Sequence, residues 1–195
     1  MAKHPTVYII AGSNGAGKTT FAMRFLPLIA GCRNFINADM IASGLSPLNA
    51  RAAVMQGGRL FLQQINRQIA SSASFAFETT LSGRGHARLL QRLRQKGYRV
   101  HLYFLWIPNV QLALKRIADR VRRGGHNVPA HAVRRRYDKG LSNLFRRYMP
   151  LTDYCAMFDN SSEDPTLVFE RQNGRETILS ADVWRSIIKQ KENIK

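Results

Sequence analysis

Carboxylates, cysteines and long apolar runs are all scarce in this sequence. Its 195 residues include two cysteines, Cys32 and Cys155, far apart and without metal-ligand spacing, so neither a disulfide framework nor a zinc site is predicted. No apolar run reaches the roughly 20 residues that span a bilayer, and residues 1–5 show no signal-peptide pattern. We therefore expect a cytoplasmic protein with no membrane partner. The length predicts a single domain over residues 1–195.

The shortage of acids leaves a strongly basic chain. Lys and Arg total 30 against 12 Asp and Glu, which gives a net charge of +18. Such a charge is typical of proteins that bind nucleic acid, an anionic membrane surface, an acidic partner protein or a polyanionic small ligand. Before Asp119 the chain contains two carboxylate side chains, Asp39 and Glu78, and each follows a short strand-like run. Their scarcity and placement predict that both have a chemical or loop-holding role.

Strand-like and helix-like segments alternate along most of the chain. Strands are predicted at residues 6–11, 34–38, 75–77, 99–107 and 154–158. Helices are predicted at residues 18–30, from Ser46-Pro47, at about 85–96, after Asn109 and over about 133–148. Asn173-Gly174 predicts a β-hairpin, and Ser180 is the expected cap of a last helix. The order predicts an α/β fold with a mainly parallel five-stranded sheet, helices on both faces and the hairpin at its edge.

The first strand is followed by a glycine-rich loop that fits G-x-x-x-x-G-K-[ST] and then by a helix. Backbone N–H groups of such a loop bind phosphate, and the helix N-terminus adds positive charge. Lys18 is expected to reach the β- and γ-phosphates and Thr19 to bind Mg²⁺. The sequence therefore predicts ATP and Mg²⁺ as cofactors in a P-loop NTPase three-layer sandwich. The predicted nucleotide-binding residues are Gly12, Ser13, Asn14, Gly15, Ala16, Gly17, Lys18, Thr19 and Thr20.

The two early carboxylates and the arginines near the middle of the chain are the other candidates. Phosphoryl transfer needs a base for the acceptor hydroxyl, support for Mg²⁺ and positive charge on the migrating group. Asp39 is the candidate base, with a helix N-cap as the alternative. Glu78 is a candidate either for Mg²⁺ or for gripping the substrate. Residues 120–137 contain two arginine clusters around a Gly-Gly-His turn, typical of a mobile lid, in which His126 is interpreted as a turn residue.

With these residues in hand, the chain resembles the zeta toxin family of P-loop kinases, in its short branch. The resemblance rests on GSNGAGKTT at 12–20, NADMIA at 37–42, FETTLSG at 77–83, and RVRRGGHNVP followed by RRRY within 120–137. It implies a kinase that phosphorylates a nucleotide sugar such as UDP-N-acetylglucosamine, and an antitoxin partner. By motif, Asp39 is then the catalytic base, Glu78 and Thr80 bind substrate, and Arg120 and Arg136 are the lid arginines. Arg123 and Arg135 remain alternatives for those two.

Three other functions compete with this one. The net charge alone supports a kinase or ATPase that acts on RNA or DNA. A nucleotide switch without an acceptor is the second alternative. An ABC-type ATPase is the least favoured, since the LSGRG segment at residues 81–85 follows the phosphate loop too closely. The prediction is in-line attack on Mg-ATP by a hydroxyl that Asp39 deprotonates, with the lid arginines neutralising the transferred charge.

Overall fold

The computed structural model describes residues 4–28, 30–47, 49, 52–125 and 127–194. Strands and helices alternate through most of this length. The strands are β1 (Thr6–Gly12), β2 (Phe35–Ile36), β3 (Phe75–Thr79), β4 (Arg99–Trp106), β5 (Tyr154–Asp159), β6 (Thr166–Gln172) and β7 (Arg175–Ile178). The helices are α1 (Lys18–Leu28), α2 (Ala38–Leu45), α3 (Val54–Ala70), α4 (Gly85–Gln95), α5 (Val110–Arg122), α6 (Ala130–Asn143) and α7 (Ala181–Asn193). Within the described ranges, no helix is long and apolar enough to cross a membrane.

All seven strands form one sheet in the order β2-β3-β1-β4-β5-β6-β7. The first five are parallel, as predicted, and β6 and β7 add antiparallel to β5. The predicted count of five strands is therefore wrong. The hairpin joins the sheet because the outer edge of β5 carries backbone groups that need partners. Its turn is as expected, with positive φ at Asn173 (51°) and Gly174 (80°).

Alternation along the central strands sends side chains to two apolar layers. Val7 and Ile9 of β1 pack into one layer together with residues of α3, α4 and α7, whereas Ile10 packs into the other with residues of α1 and α5. The long apolar strand β4 lies beside β1, and its Val100 and Leu102 are fully buried. The predicted three-layer arrangement and the central position of β4 are confirmed.

The chain turns from β2 into α2 earlier than the sequence indicated. A strand was expected over residues 34–38, but β2 covers Phe35–Ile36 and α2 already begins at Ala38. Asn37 is the N-cap, since its side-chain oxygen accepts the backbone N–H groups of Asp39 (2.9 Å) and Met40 (3.1 Å). Asp39 is therefore not a cap. It lies in the first turn of α2, and its side chain is exposed.

Five other helix ends can be compared with the predicted start and stop signals. The prediction that a helix begins at Ser46-Pro47 is wrong, because Ser46 is the C-cap of α2 and α3 begins at Val54. Helix α1 ends at Leu28, short of the predicted residue 30. The expected stop of α4 is confirmed, with Gly97 at a φ of 79°. Asn109 and Ser180 hold the predicted cap positions, although the Ser180 side chain makes no capping hydrogen bond.

Candidate functional site

The glycine-rich loop joins β1 to α1 at the carboxyl edge of the parallel strands. Gly12, Gly15 and Gly17 all have positive φ, which turns successive backbone N–H groups to one side. The neighbouring backbone also leaves no room for a side chain at Gly15, where a Cβ would lie 2.6 Å from the Ala113 carbonyl oxygen. The loop thus has the conformation that phosphate binding requires, at the N-terminus of α1.

Lys18 is buried beneath this loop, with 8% of its surface exposed, and donates a hydrogen bond to the Ser13 carbonyl oxygen at 3.0 Å. Burial lowers the pKa of Lys18 because it disfavours the charged form. Two carboxylates oppose that shift and two arginines add to it: Glu78, Asp39, Arg120 and Arg136. Chain segments far apart in sequence therefore bring the predicted carboxylates and arginines into the electrostatic field of the lysine.

Thr19 and Glu78 meet across the gap between α1 and β3. The Thr19 hydroxyl donates to Glu78 Oε2 at 2.7 Å. Mg²⁺ prefers oxygen ligands and is usually held by one or two protein groups together with phosphate oxygens and waters. The hydroxyl and carboxylate are such ligands and lie beside the phosphate loop, so this pair fits the predicted metal. Among the described residues, no group of three or more His, Cys, Asp or Glu side chains is placed to hold a metal ion.

A cleft of about 680 Å³ opens beside the loop and contains most of the predicted site residues. Asp39, Glu78 and Lys18 line it. Met40, Ser43 and Asp119, which the sequence did not single out, line it too. Thr80 is absent from the described lining residues, and its hydroxyl pairs with that of Ser82 at 2.9 Å. The structure thus assembles one carboxylate from α2 and one from β3 around the phosphate loop.

Three of the four candidate lid arginines reach this region. Arg120 and Arg123 line the cleft from the end of α5. Arg136, on α6, donates to the Asn14 side-chain oxygen of the phosphate loop at 3.3 Å. Arg135 lines a different groove instead. His126, interpreted above as a turn residue, lies outside the described residues.

Two residues that support the loop were not identified from the sequence in that role. The Asn160 side chain, just beyond β5, donates to the Ala16 carbonyl oxygen at 2.6 Å. Arg116 donates to the carbonyl oxygens of Asn160 (2.8 Å) and Ser161 (2.9 Å) and also lines the cleft. The position of Asn160 directly after a strand was the available signal. No feature of the sequence distinguishes Arg116 from the many other arginines, so its contact with this segment could not be predicted.

A sequence profile described as Zeta toxin matches residues 1–171. The chain belongs to the Zeta toxin family. A protein of Haemophilus influenzae, named as uncharacterized, is 32% identical over 129 residues, which are 65% of this chain and 88% of that protein. The resemblance inferred from the four motifs is confirmed.

Solved structures show the same fold at low sequence identity. A chain of the AvrRxo1-ORF1:-ORF2 complex crystallised with ATP has a TM-score of 0.77 and 18% identity over 100% of this chain. The match covers 66% of the length of that AvrRxo1 chain, so this chain is the shorter of the two. A chain of the PezAT toxin–antitoxin system of Streptococcus pneumoniae has a TM-score of 0.67 and 16% identity, covering 98% of this chain and 86% of its own. The P-loop NTPase three-layer fold predicted from the sequence is thereby confirmed.

Proposed function

We propose that this protein is an ATP-dependent kinase that transfers the terminal phosphate of ATP to a hydroxyl group of a small molecule. The observation that carries the proposal is the convergence on one cleft of a phosphate loop, a Thr19–Glu78 pair that fits Mg²⁺, and the carboxylate of Asp39. Membership of the Zeta toxin family and the likeness to a complex crystallised with ATP support it.

Each part of the cleft supplies one requirement of phosphoryl transfer. Backbone N–H groups of residues 12–19 and the Lys18 ammonium hold the β- and γ-phosphates. Thr19 and Glu78 would hold Mg²⁺, which would neutralise charge on the phosphate oxygens. Asp39 accepts the proton of the attacking hydroxyl. Because it projects from the first turn of α2 into the same cleft, it needs no large movement to reach a substrate there.

The arginines supply positive charge to the migrating phosphoryl group. Arg120 approaches from α5, where the Gly125 backbone N–H donates to its carbonyl oxygen at 2.9 Å and so fixes the end of that helix. Arg136 approaches from α6 through its contact with Asn14. We assign these two as the catalytic arginines, with Arg123 as the alternative. Two arginines from separate helices suit a lid that closes over the nucleotide.

The acceptor we propose is a nucleotide sugar such as UDP-N-acetylglucosamine. Its diphosphate would suit a protein with a net charge of +18. Glu78 accepts the Thr19 hydroxyl beside the phosphate loop, and two residues further along the chain the Thr80 hydroxyl pairs with that of Ser82. Glu78 has two candidate roles, support of Mg²⁺ and contact with the substrate, and its hydrogen bond to Thr19 favours the first. The neighbouring hydroxyl pair of Thr80 and Ser82 is the proposed contact with the substrate.

We also propose that the protein acts in a toxin–antitoxin pair and has an antitoxin as its partner. Support comes from the PezAT toxin–antitoxin system and from the two-component AvrRxo1-ORF1:-ORF2 complex, which both contain chains of this fold. The basic surface would attract a partner protein with acidic surface groups.

The direct test incubates the protein with Mg-ATP and a panel of acceptors, and detects the gain of one phosphate by mass spectrometry. The panel contains UDP-N-acetylglucosamine, other nucleotide sugars, NAD and short RNA. Lys18→Ala is expected to lose ATP binding, whereas Asp39→Asn is expected to lose transfer and keep ATP binding. Asp164→Asn is the matched control, since that carboxylate is exposed and pairs with Arg24 away from the cleft.

The outcomes of this panel separate the candidate functions. A phosphorylated small molecule that disappears with Lys18→Ala and Asp39→Asn supports the proposal and identifies the acceptor. Phosphorylated RNA would replace it with the nucleic-acid alternative that the net charge favours. Unchanged transfer by Asp39→Asn would overturn the assignment of the base.

A further inference from the structure

A second groove lies between α6, α7 and the start of α5, and it shares no lining residue with the nucleotide cleft. Its volume is about 890 Å³, which is within the range of small-molecule sites. Arg135, Tyr137 and Lys139 line it from α6, and Lys189 and Gln190 line it from α7. We call it the α6–α7 groove.

The charge of the groove is its most informative property. Arg135, Lys139 and Lys189 are all exposed, and none of them forms an ion pair with a carboxylate in the part of the chain that the structure describes. Arg135 and Lys139 are four residues apart on one helix, a spacing at which like charges repel. Lys189 adds a third positive charge from the facing helix. Asp138 is the single carboxylate among the lining residues, so the net charge of the lining is positive.

Two of the residues that line the groove, Tyr137 and Gln190, are held by hydrogen bonds. The Tyr137 hydroxyl donates to the Ile107 carbonyl oxygen at 2.8 Å, and the Trp106 indole N–H donates to the Gln190 side-chain oxygen at 2.7 Å. Both bonds tie the helices to the end of β4. Val110 and Ile194 also line the groove, so apolar surface lies beside the charges. A fixed concave surface of this kind needs little reorganisation to bind a ligand.

We propose that the α6–α7 groove binds a small phosphorylated organic molecule. The three exposed cations from two helices would meet its phosphate groups, and the apolar residues and the Tyr137 ring would pack against its carbon skeleton. A single inorganic ion would use only part of this volume. A nucleic acid or an acidic protein segment would use the charge and leave the groove itself unfilled.

The experiment uses the full chain carrying Lys18→Ala, which removes the expected phosphate binding in the other cleft. Isothermal titration calorimetry at low salt measures binding of fructose 1,6-bisphosphate, with fructose as the uncharged control. Combining K139Q with K189Q is expected to weaken binding at least about tenfold, because two of three cations are lost. The conservative pair K139R and K189R is expected to restore it. Arg88→Gln with Lys96→Gln removes two exposed cations of α4 or its C-cap and is expected to change little.

Three results would overturn the proposal. The first is failure of the bisphosphate to bind the Lys18→Ala protein at millimolar concentration. The second is an equal loss of binding in the α4 control, which would assign the effect to general charge attraction. The third is binding of single-stranded RNA through Lys139 and Lys189 without binding of the bisphosphate. None of these results depends on ATP binding or on phosphate transfer, so they test the groove independently of the proposed kinase function.

Discussion

Replacing Asn160 by alanine tests whether the segment after β5 positions the phosphate loop. The Asn160 side chain is 7% exposed, and its bond to the Ala16 carbonyl oxygen is 2.6 Å long. Removing one partner of a buried hydrogen bond costs about 1–3 kcal/mol, because the remaining group is left unsatisfied. That carbonyl belongs to the loop whose N–H groups are to hold the phosphates. We therefore expect the loop to lose part of its fixed conformation.

The same range sets the expected loss of ATP affinity. If the lost hydrogen bond destabilises only the loop conformation that binds ATP, a cost of 1–3 kcal/mol corresponds to a rise in the Kd for ATP of about 5-fold to 150-fold. Asn160→Asp should lose more, since a carboxylate oxygen would then face the Ala16 carbonyl oxygen and the phosphate site. Titration calorimetry with ATP measures the Kd, and urea denaturation measures the free energy of unfolding.

Asn143→Ala is the matched control for this prediction. Asn143 also donates its side-chain amide to a backbone carbonyl oxygen, that of Leu81, at 2.8 Å, but outside the phosphate loop. It should lower the free energy of unfolding and leave the Kd for ATP within about twofold of the wild type. A Kd for Asn160→Ala that is also within twofold would refute the argument that Asn160 positions the loop.

Three further predictions concern the cleft. Gly15→Ala should lower the free energy of unfolding by about 2–4 kcal/mol, because Gly15 has a positive φ and an added Cβ would overlap Ala113. Urea denaturation measures this change, and Gly83→Ala is the control: no atom lies within 4 Å of its added Cβ, so its free energy of unfolding should stay within about 0.5 kcal/mol of the wild type. Lys18 has a pKa below its ordinary 10.5, so between the lowered pKa and 10.5 the folded state binds fewer protons than the unfolded state. The free energy of unfolding should therefore rise with pH across this window, and urea denaturation of Lys18→Met should show no such rise. Arg136→Gln should reduce the transfer rate at least about tenfold in a single-turnover assay, and an unchanged rate would remove Arg136 from the catalytic set.

Much of the fold followed from signals that are local in the sequence. The phosphate loop needs its glycines and lysine within eight consecutive residues, so Gly12 to Thr19 predicted both the loop and the strand and helix around it. Alternating apolar runs predicted the parallel sheet. The Asn173-Gly174 turn predicted the hairpin, because both positions need positive φ. Each of these features depends on neighbouring residues alone.

The tertiary structure decided the rest. Asn160 reaches Ala16 across 144 positions of sequence, and no local pattern marks one asparagine for that contact. The count of seven strands depended on the antiparallel pairing of β6 with β5, which makes both hairpin strands part of the parallel sheet. Among equally basic arginines, only packing brought Arg136 to the phosphate loop and sent its neighbour Arg135 to the α6–α7 groove. The sequence determined which chemical groups are available, and the packing of helices on the sheet determined which of them meet.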